Sequence, residues 1–188
     1  ERTNLTRDEA FAPSALVATR DYDVHVDLSS VLDPASTGFR STTTLTFQCR
    51  EPGSWTFLDF LNDGVESVVL NGRALDPDLV AGRARILLQD LAAENEVTVT
   101  GTALYSTSGE GLHRFVDPTD GHMYLYTQYE PADARRVFAT FEQPDLKARF
   151  TFHLTGPADW VLASNQAPTA RRKAGTDDAG RALVSVDF

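Results

Sequence analysis

Apolar and polar positions alternate along most of this chain. In the segment RDYDVHVDL, the alternating apolar residues are Tyr22, Val24, Val26 and Leu28. Successive side chains of a strand point to opposite faces, so a period of two predicts a strand with one buried and one solvent-facing side. The segment TTTLTFQC, which ends at Cys49, repeats the pattern. Both segments are therefore predicted strands of a half-buried sheet.

Turn signals separate the other apolar segments. In VESVVLNGRAL, the pair Asn71-Gly72 lies between two apolar pieces. Both residues tolerate positive φ, which predicts a tight hairpin. Gly101, within NEVTVTGTALY, is a candidate bulge. The remaining predicted strands are SWTFLDF, RILLQ, HMYLYTQYE, LKARFTFHLT, WVLASN and ALVSVDF, whereas STSGEGLHRFVDPTDG, rich in Gly, Pro and Asp, predicts a loop.

Short strands at turn-punctuated intervals predict an all-β domain, either an antiparallel sandwich or a strongly curved sheet. Thr6 and Glu9 have capping-box spacing and predict a short N-terminal helix ahead of the strands. No internal repeat or linker is visible, so residues 1–188 are predicted to form one domain. The only methionine is Met123, and the strand pattern that reaches Phe188 stops in mid-course. We therefore expect a piece of a longer protein.

Charge and cysteine content narrow the function classes. The chain of 188 residues carries a formal net charge of -10, which argues against nucleic acid or an anionic membrane as a partner because both attract basic surfaces. Cys49 is the only cysteine, so no internal disulfide can form and a reducing compartment fits best. We predict a cytoplasmic location. No signal peptide is visible, and no apolar run approaches the ~18 residues of a membrane span.

Several self-contained catalytic motifs are absent from the chain. It contains no His-Glu-x-x-His, no G-x-S-x-G and no glycine loop of the phosphate-binding type. We accordingly predict no catalytic residue, no metal ligand and no cofactor within these 188 residues. The four histidines, His25, His113, His122 and His153, are predicted to lie exposed to solvent.

The end of the strand HMYLYTQYE is the most informative feature. Strand parity places Gln128 and Glu130 on the same side, together with the tyrosines that precede them. Pro131 restricts the conformation of the residue before it and ends strand pairing. An amide and a carboxylate should therefore project together from a strand end.

Two other interpretations of these carboxylates remain open from the residues alone. Glu130 could cap the segment 133–138, or form an ion pair with Arg135 or Arg136. Alternatively, Glu130 and Glu142 could form the carboxylate pair of a glycosidase, although a proline break beside each gives no reason for them to converge. We expect Arg135 and Arg136 to tie their segment to nearby acids.

The segment YTQYEPADARRVFATFEQPDLKARFTF resembles the signature near the end of the N-terminal domain in the aminopeptidase N family of zinc metallopeptidases. Members of that family typically read T-Q-x-E-x-x-x-A-R-x-x-F-x-x-x-D-x-P-x-x-K-A-x-F. The matching positions are Thr127, Gln128, Glu130, Ala134, Arg135, Phe138, Pro144, Lys147, Ala148 and Phe150. The chain departs at Glu142-Gln143, where many relatives have Asp-Glu, and at Thr140, where a Cys or similar small residue is common. RDYDVHVDL, VLNGRAL and GLHRF add weaker similarity.

The resemblance implies a saddle-like β-domain that packs on a thermolysin-like catalytic domain, which supplies a GAMEN motif and binds Zn²⁺. It also implies peptide substrates with a free N-terminus. The position of Glu130 would bind the substrate α-ammonium, and that of Gln128 would line the pocket for the first side chain. On this interpretation the chain is inactive alone. The alternative is a non-catalytic β-sandwich binding module, and a zinc motif elsewhere in the longer protein would discriminate between the two.

Overall fold

A computed structural model describes residues 14–188, of which residues 14–16 are helical. The predicted helix cap at Thr6 and Glu9 lies outside the described residues. The strands are β1 (Val17–Asp27), β2 (Gly38–Cys49), β3 (Thr56–Asp59), β4 (Gly64–Leu70), β5 (Arg73–Leu75), β6 (Arg85–Leu88), β7 (Glu94–Leu104), β8 (Gly111–Val116), β9 (Met123–Gln128), β10 (Arg149–Pro157), β11 (Ala170–Thr176) and β12 (Ala182–Asp187). One short helix, α1 (Pro77–Val80), follows β5, and a 3-10 turn spans Ala134–Arg136.

Eight strands form one sheet in the order β11, β12, β10, β1, β2, β7, β4, β5, and β3–β6 and β8–β9 form separate two-stranded sheets. The all-β class predicted from the sequence is confirmed. One neighbouring pair in the large sheet, β1 and β10, runs parallel, whereas the other pairs are antiparallel. No helix within residues 14–188 is long and apolar enough to cross a membrane.

The core lies on the inward face of the large sheet, as the period of two predicted. The buried positions of β1 and β2 include the predicted inward residues Tyr22, Val24, Val26, Leu45, Phe47 and Cys49, and Leu28 just beyond β1 is buried as well. The segment Val137–Phe141 packs against the same core and is buried throughout. Burial of side chains from both the sheet and this segment removes apolar surface from water, which is the main stabilising contribution to such a fold.

Two loop-and-strand assignments made from the sequence are wrong. The segment predicted as a loop contains β8, which pairs with β9 over its whole length. Leu112 is the one large side chain of β8 that is buried, so the segment shows no apolar alternation that stands out among the flanking turn residues. The predicted strand WVLASN is irregular, and Val161 within it is 91% exposed. The charged strand β11, rich in Arg and Lys, was not predicted.

Glycines account for two features of the sheet. Asn71 and Gly72 both have positive φ (54° and 76°) and close the β4–β5 hairpin, as predicted. The bulge near Gly101 lies in the partner strand, where the β4 register shifts between Val65 and Ser67. A Cβ on Gly101 would lie 2.7 Å from the carbonyl oxygen of Gly64. Gly101 is therefore required by the close approach of the bulged strand.

Candidate functional site

The predicted site residues lie at the end of the β8–β9 hairpin. In its antiparallel register, Gln128 is opposite Gly111, and Tyr126 is opposite His113. The rings of His113 and Tyr126 lie 4.9 Å apart between centroids. Pairing ends at Gln128, so Glu130 lies in the turn that follows the strand, beside a cis Glu130-Pro131 peptide bond.

Contacts on the inner side of the hairpin fix it to the body of the domain. Leu112 is buried in the core, and Met123 and Leu125 pack against it. The backbone N–H of Ser106 donates to the carbonyl of Leu112 at 2.8 Å. The guanidinium of Arg114 lies 4.4 Å from the centre of the Tyr105 ring, a favourable cation–π distance. The strand end is thus held by a packed support.

The outer side of the hairpin exposes large apolar and aromatic side chains. We call this surface the hairpin aromatic face; it consists of Phe115, Tyr124 and Tyr126, which the strand register places on one side and which are between 46% and 53% exposed. Gln128 and Glu130 are exposed as well. The strand register agrees with the parity prediction for Tyr124, Tyr126 and Gln128, which lie opposite Phe115, His113 and Gly111 on one side of the hairpin.

The turn after β9 is anchored by the residue before Glu130. The backbone N–H of Asp133 donates to the carbonyl of Tyr129 at 2.8 Å, and the Tyr129 ring meets Phe138 edge to face at 5.8 Å. Burial raises the pKa of Tyr129 to about 12, against the opposing hydrogen bond with Thr127. Tyr129 therefore points into the domain, and its two neighbours in sequence point outward.

The carboxylate of Glu130 makes no hydrogen bond or ion pair with any residue in the range 14–188. Beside it, the Oε1 atom of Gln128 accepts the backbone N–H of Tyr129 at 3.1 Å, which orients the amide. An exposed carboxylate without a partner at a rigid strand end is available for a cation from outside the described chain.

Arg136 is engaged by other acids. Its Nε atom donates to Asp133 Oδ1 at 2.7 Å, and its terminal nitrogen lies 3.7 Å from Glu110 Oε1. The expectation that this arginine ties its segment to nearby acids is confirmed. The alternative in which Glu130 pairs with Arg136 is not the arrangement in this structure.

Arg135 lies in the interior, with 4% of its surface exposed. Its backbone N–H donates to Glu142 Oε2 at 2.7 Å, and its positive charge acts on both Asp59 and Glu142. Burial raises the pKa of each of these carboxyl groups, and Arg135 opposes the rise. Glu142 therefore accepts a hydrogen bond inside the domain, and the structure offers no support for its pairing with Glu130 in a glycosidase.

Asp59 is a buried carboxyl group that the sequence analysis overlooked. It is 2% exposed, and its backbone exchanges two hydrogen bonds with Thr140, at 2.8 and 3.0 Å. Its Oδ1 atom lies 3.5 Å from Nε of Arg85, whose guanidinium covers the ring of Phe57. The signal was a single acid inside the apolar segment SWTFLDF. The two backbone hydrogen bonds between Asp59 and Thr140 connect β3 to the segment that carries Arg135.

A cleft of about 340 Å³ lies next to the Arg136–Glu110 pair. Its walls also include Arg83, Tyr105 and Ser108. Neither Gln128 nor Glu130 lines this cleft. The two predicted site residues therefore project from the surface of the described chain, and a pocket around them would need walls from elsewhere.

Among residues 14–188, no histidine or cysteine lies with Gln128 and Glu130 in a cluster that could hold a metal ion. In the part of the chain that the structure describes, Asp23, His25 and His153 are the one trio of such groups close enough to share an ion. They lie on β1 and β10. A zinc ion implied by the family resemblance therefore does not fit the residues around Glu130, and its ligands would have to come from outside residues 14–188.

A family model described as the peptidase M1 N-terminal domain matches residues 19–180. Among curated proteins, aminopeptidase N of Streptomyces lividans is 45% identical over 172 residues, which cover 91% of this chain and 20% of that protein. A probable M1 family aminopeptidase of Encephalitozoon cuniculi is 28% identical over 178 residues, covering 86% of this chain and 19% of that protein. The chain thus spans about a fifth of the length of these relatives.

Solved structures share the same fold. Aminopeptidase A of Legionella pneumophila, crystallised in complex with aspartic acid, superposes with a TM-score of 0.73 at 19% identity, covering 92% of this chain and 19% of that one. The M1 zinc metallopeptidase of Deinococcus radiodurans, as its E323A mutant, gives a TM-score of 0.66 at 21% identity, covering 92% of this chain and 38% of that one. At these identities the likeness concerns the fold.

Proposed function

The chain belongs to the family of peptidase M1 N-terminal domains, and from this we propose that it is the N-terminal domain of a zinc aminopeptidase that releases single residues from the amino terminus of peptides. Within that enzyme, Glu130 binds the α-ammonium group of the substrate. Gln128 forms part of the pocket for the first side chain. The domain alone is inactive, because the zinc ligands and the general base lie elsewhere in the enzyme.

The single observation that carries this proposal is the unpaired, exposed carboxylate of Glu130 at the end of a supported strand. An aminopeptidase must select a charged amino terminus and position the first peptide bond. A fixed carboxylate meets both demands once a neighbouring domain covers it, because an ion pair is stronger in a desolvated cleft than in water. Glu130 would thus act on the rate by orienting the substrate.

The hairpin aromatic face supports the expected position of a catalytic domain. Three neighbouring, half-exposed aromatic side chains form a surface that a partner domain would shield from water. Such a domain would also supply the missing walls around Gln128 and Glu130. Zinc bound to the catalytic domain would polarise the scissile carbonyl and activate water. The residues of this chain hold and orient the peptide.

The test compares kcat/KM for aminoacyl arylamides between the wild-type enzyme and Glu130→Ala. Removal of the carboxylate leaves the substrate ammonium without its partner, at a cost of about 3 kcal/mol. We therefore expect kcat/KM to fall about a hundredfold. Glu130→Gln, which keeps the shape and removes the charge, should lose nearly as much.

A matched control is Glu96→Ala, which removes another exposed glutamate whose side chain has no partner in residues 14–188. Its kcat/KM should equal that of the wild type. Zinc content, measured for each variant, should not change. A normal rate for Glu130→Ala would refute the ammonium-binding role, and a wild-type protein without aminopeptidase activity would favour the non-catalytic binding module.

A further inference from the structure

Two histidines that were predicted only to lie exposed to solvent meet on the outer face of the sheet. The parallel register of β1 and β10 places His25 directly beside His153, and their rings stack with centroids 4.1 Å apart. Asp23, two residues before His25, projects on the same face. Its Oδ1 atom lies 2.9 Å from His25 Nε2, and its Oδ2 atom lies 3.1 Å from His153 Nε2. One carboxylate thus holds both imidazoles.

The other nitrogen of His153 has a partner of its own. On β12, Asp187 is in register with His153, and its Oδ1 atom lies 2.8 Å from His153 Nδ1. Asp187 is fixed in turn by Arg172 at 2.6 Å. This orientation leaves Nε2 of His153 directed toward Asp23. A carboxylate on the far nitrogen of a histidine is the usual support for a metal-binding imidazole.

Ligand type and spacing agree with a small transition-metal ion. One ligand atom from each of Asp23, His25 and His153 lies within 4.8 Å of the others. In a tetrahedral zinc site with bonds of about 2.0–2.2 Å, ligand atoms lie about 3.3 Å apart. Imidazole nitrogens suit zinc, copper and nickel, whereas calcium and magnesium prefer an all-oxygen set.

We propose that Asp23, His25 and His153 form a surface Zn²⁺ site, with Asp187 as the residue that positions His153. The ion takes the place of the protons that the carboxylate and the two imidazoles share in the metal-free protein. Water completes the coordination, because His25 and Asp23 are about half exposed and leave the solvent side open. This site departs from the expectation that the chain holds no metal.

A bound ion would stabilise the large sheet of the domain. The ligands belong to β1 and β10, and the positioning residue belongs to β12, so the ion links three adjacent strands of the large sheet. The β1–β10 contact joins an early and a late part of the sequence through a parallel pairing. An ion that binds only the folded form stabilises it in proportion to its occupancy.

The experiment measures Zn²⁺ bound to the intact protein by equilibrium dialysis and elemental analysis, after treatment with a chelator. His25→Ala and His153→Ala should each bind about one equivalent less than the wild type. Asp187→Asn should keep the site but weaken its affinity about tenfold to a hundredfold. His122→Ala is the matched control, because His122 is an exposed histidine with an acidic neighbour, Asp120, outside the trio.

Nuclear magnetic resonance of the imidazole nitrogens gives a second measurement that does not depend on stoichiometry. Added Zn²⁺ should shift Nε2 of both His25 and His153 and leave Nδ1 of His153, bound to Asp187, much less affected. Circular dichroism shows whether each variant is folded. Because His25 is exposed, His25→Ala still tests the site if His153→Ala fails to fold. Equal zinc binding by wild type and both histidine variants, or unshifted Nε2 signals, would overturn the proposal.

Discussion

The phenol oxygen of Tyr22 accepts the backbone N–H of Phe141 at 3.1 Å. This buried hydrogen bond joins the first strand of the sheet to the segment that follows the Glu130 turn. The Tyr22 ring also stacks on Phe150 at 4.5 Å and meets Phe138 edge to face at 6.4 Å. One side chain from β1 therefore supports the whole segment that anchors the candidate site.

Tyr22→Phe should destabilise the domain. The substitution keeps the ring contacts but leaves the buried N–H of Phe141 without an acceptor, which costs about 1–3 kcal/mol. Urea unfolding, followed by tryptophan fluorescence, measures the change in the free energy of unfolding. Tyr124→Phe is the control, because the hydroxyl of Tyr124 bonds Asp120 on the surface. Equal stability of wild type and Tyr22→Phe would show that this hydrogen bond contributes nothing.

Stability should fall as the pH rises from about 10 to about 12. Burial raises the pKa of Tyr22 and of Tyr129 from 10.0 to about 12, because the phenolate is poorly solvated in the interior. In that window the unfolded chain loses these protons and the folded chain keeps them, so unfolding is favoured; below pH 10 the contribution is fully present. Ultraviolet titration of the tyrosines, combined with urea unfolding at several pH values, measures both effects.

Gly101→Ala should destabilise the sheet by about 1–3 kcal/mol. The new Cβ would lie 2.7 Å from a backbone oxygen of the bulged strand and 2.9 Å from the Phe60 ring, and backbone cannot move aside cheaply. Gly156→Ala is the matched control, because a Cβ there meets no atom closer than 3.5 Å. Thermal unfolding should give a lower melting temperature for Gly101→Ala than for Gly156→Ala. Equal melting temperatures would contradict the prediction.

Arg135→Met should cost about 3–5 kcal/mol of folding free energy. It removes the positive charge that compensates the buried carboxyl groups of Asp59 and Glu142. Arg136→Met is the control, since the Arg136 ion pairs are substantially exposed and such pairs contribute about 0–1 kcal/mol. Urea unfolding of the two variants should therefore separate them clearly. Similar losses would show that burial of Arg135 is not the decisive difference.

Gln128→Ala should alter selectivity among substrates. If Gln128 lines the pocket for the first side chain, its removal changes the ratio of kcat/KM between aminoacyl arylamides, by about 10-fold to 200-fold for changes of one small group. The requirement for a free amino group, tested with N-acetylated substrates, should persist because it depends on Glu130. A uniform change for all first residues would contradict a role in the pocket.

Local patterns in the sequence were sufficient for most of the strands and for the strand end at Gln128. The buried positions of β1 and β2 follow from side-chain alternation, and the Asn71-Gly72 turn follows from residues that accept positive φ. The alternation and the turn both depend on the conformation of a few neighbouring residues, so a short stretch of sequence is enough to predict them. The strand β8 was not predicted, because Leu112 is its one buried large side chain and the segment shows no apolar alternation.

Tertiary structure decided which distant residues meet. Nothing in the residues around His25 indicates that β10 lies parallel beside it and brings His153 to its ring. The same holds for Arg135, which resembles a surface arginine in sequence and is buried beside Asp59 and Glu142. Strand order and burial of charge depend on the balance of contacts over the whole chain, so they emerge only when the sheet is assembled. The sequence by itself determined most of the strands and the projecting Glu130. The assembled sheet decided that Glu130 has no partner among the described residues, that Arg136 pairs with Asp133 and Glu110, and that Arg135 is buried.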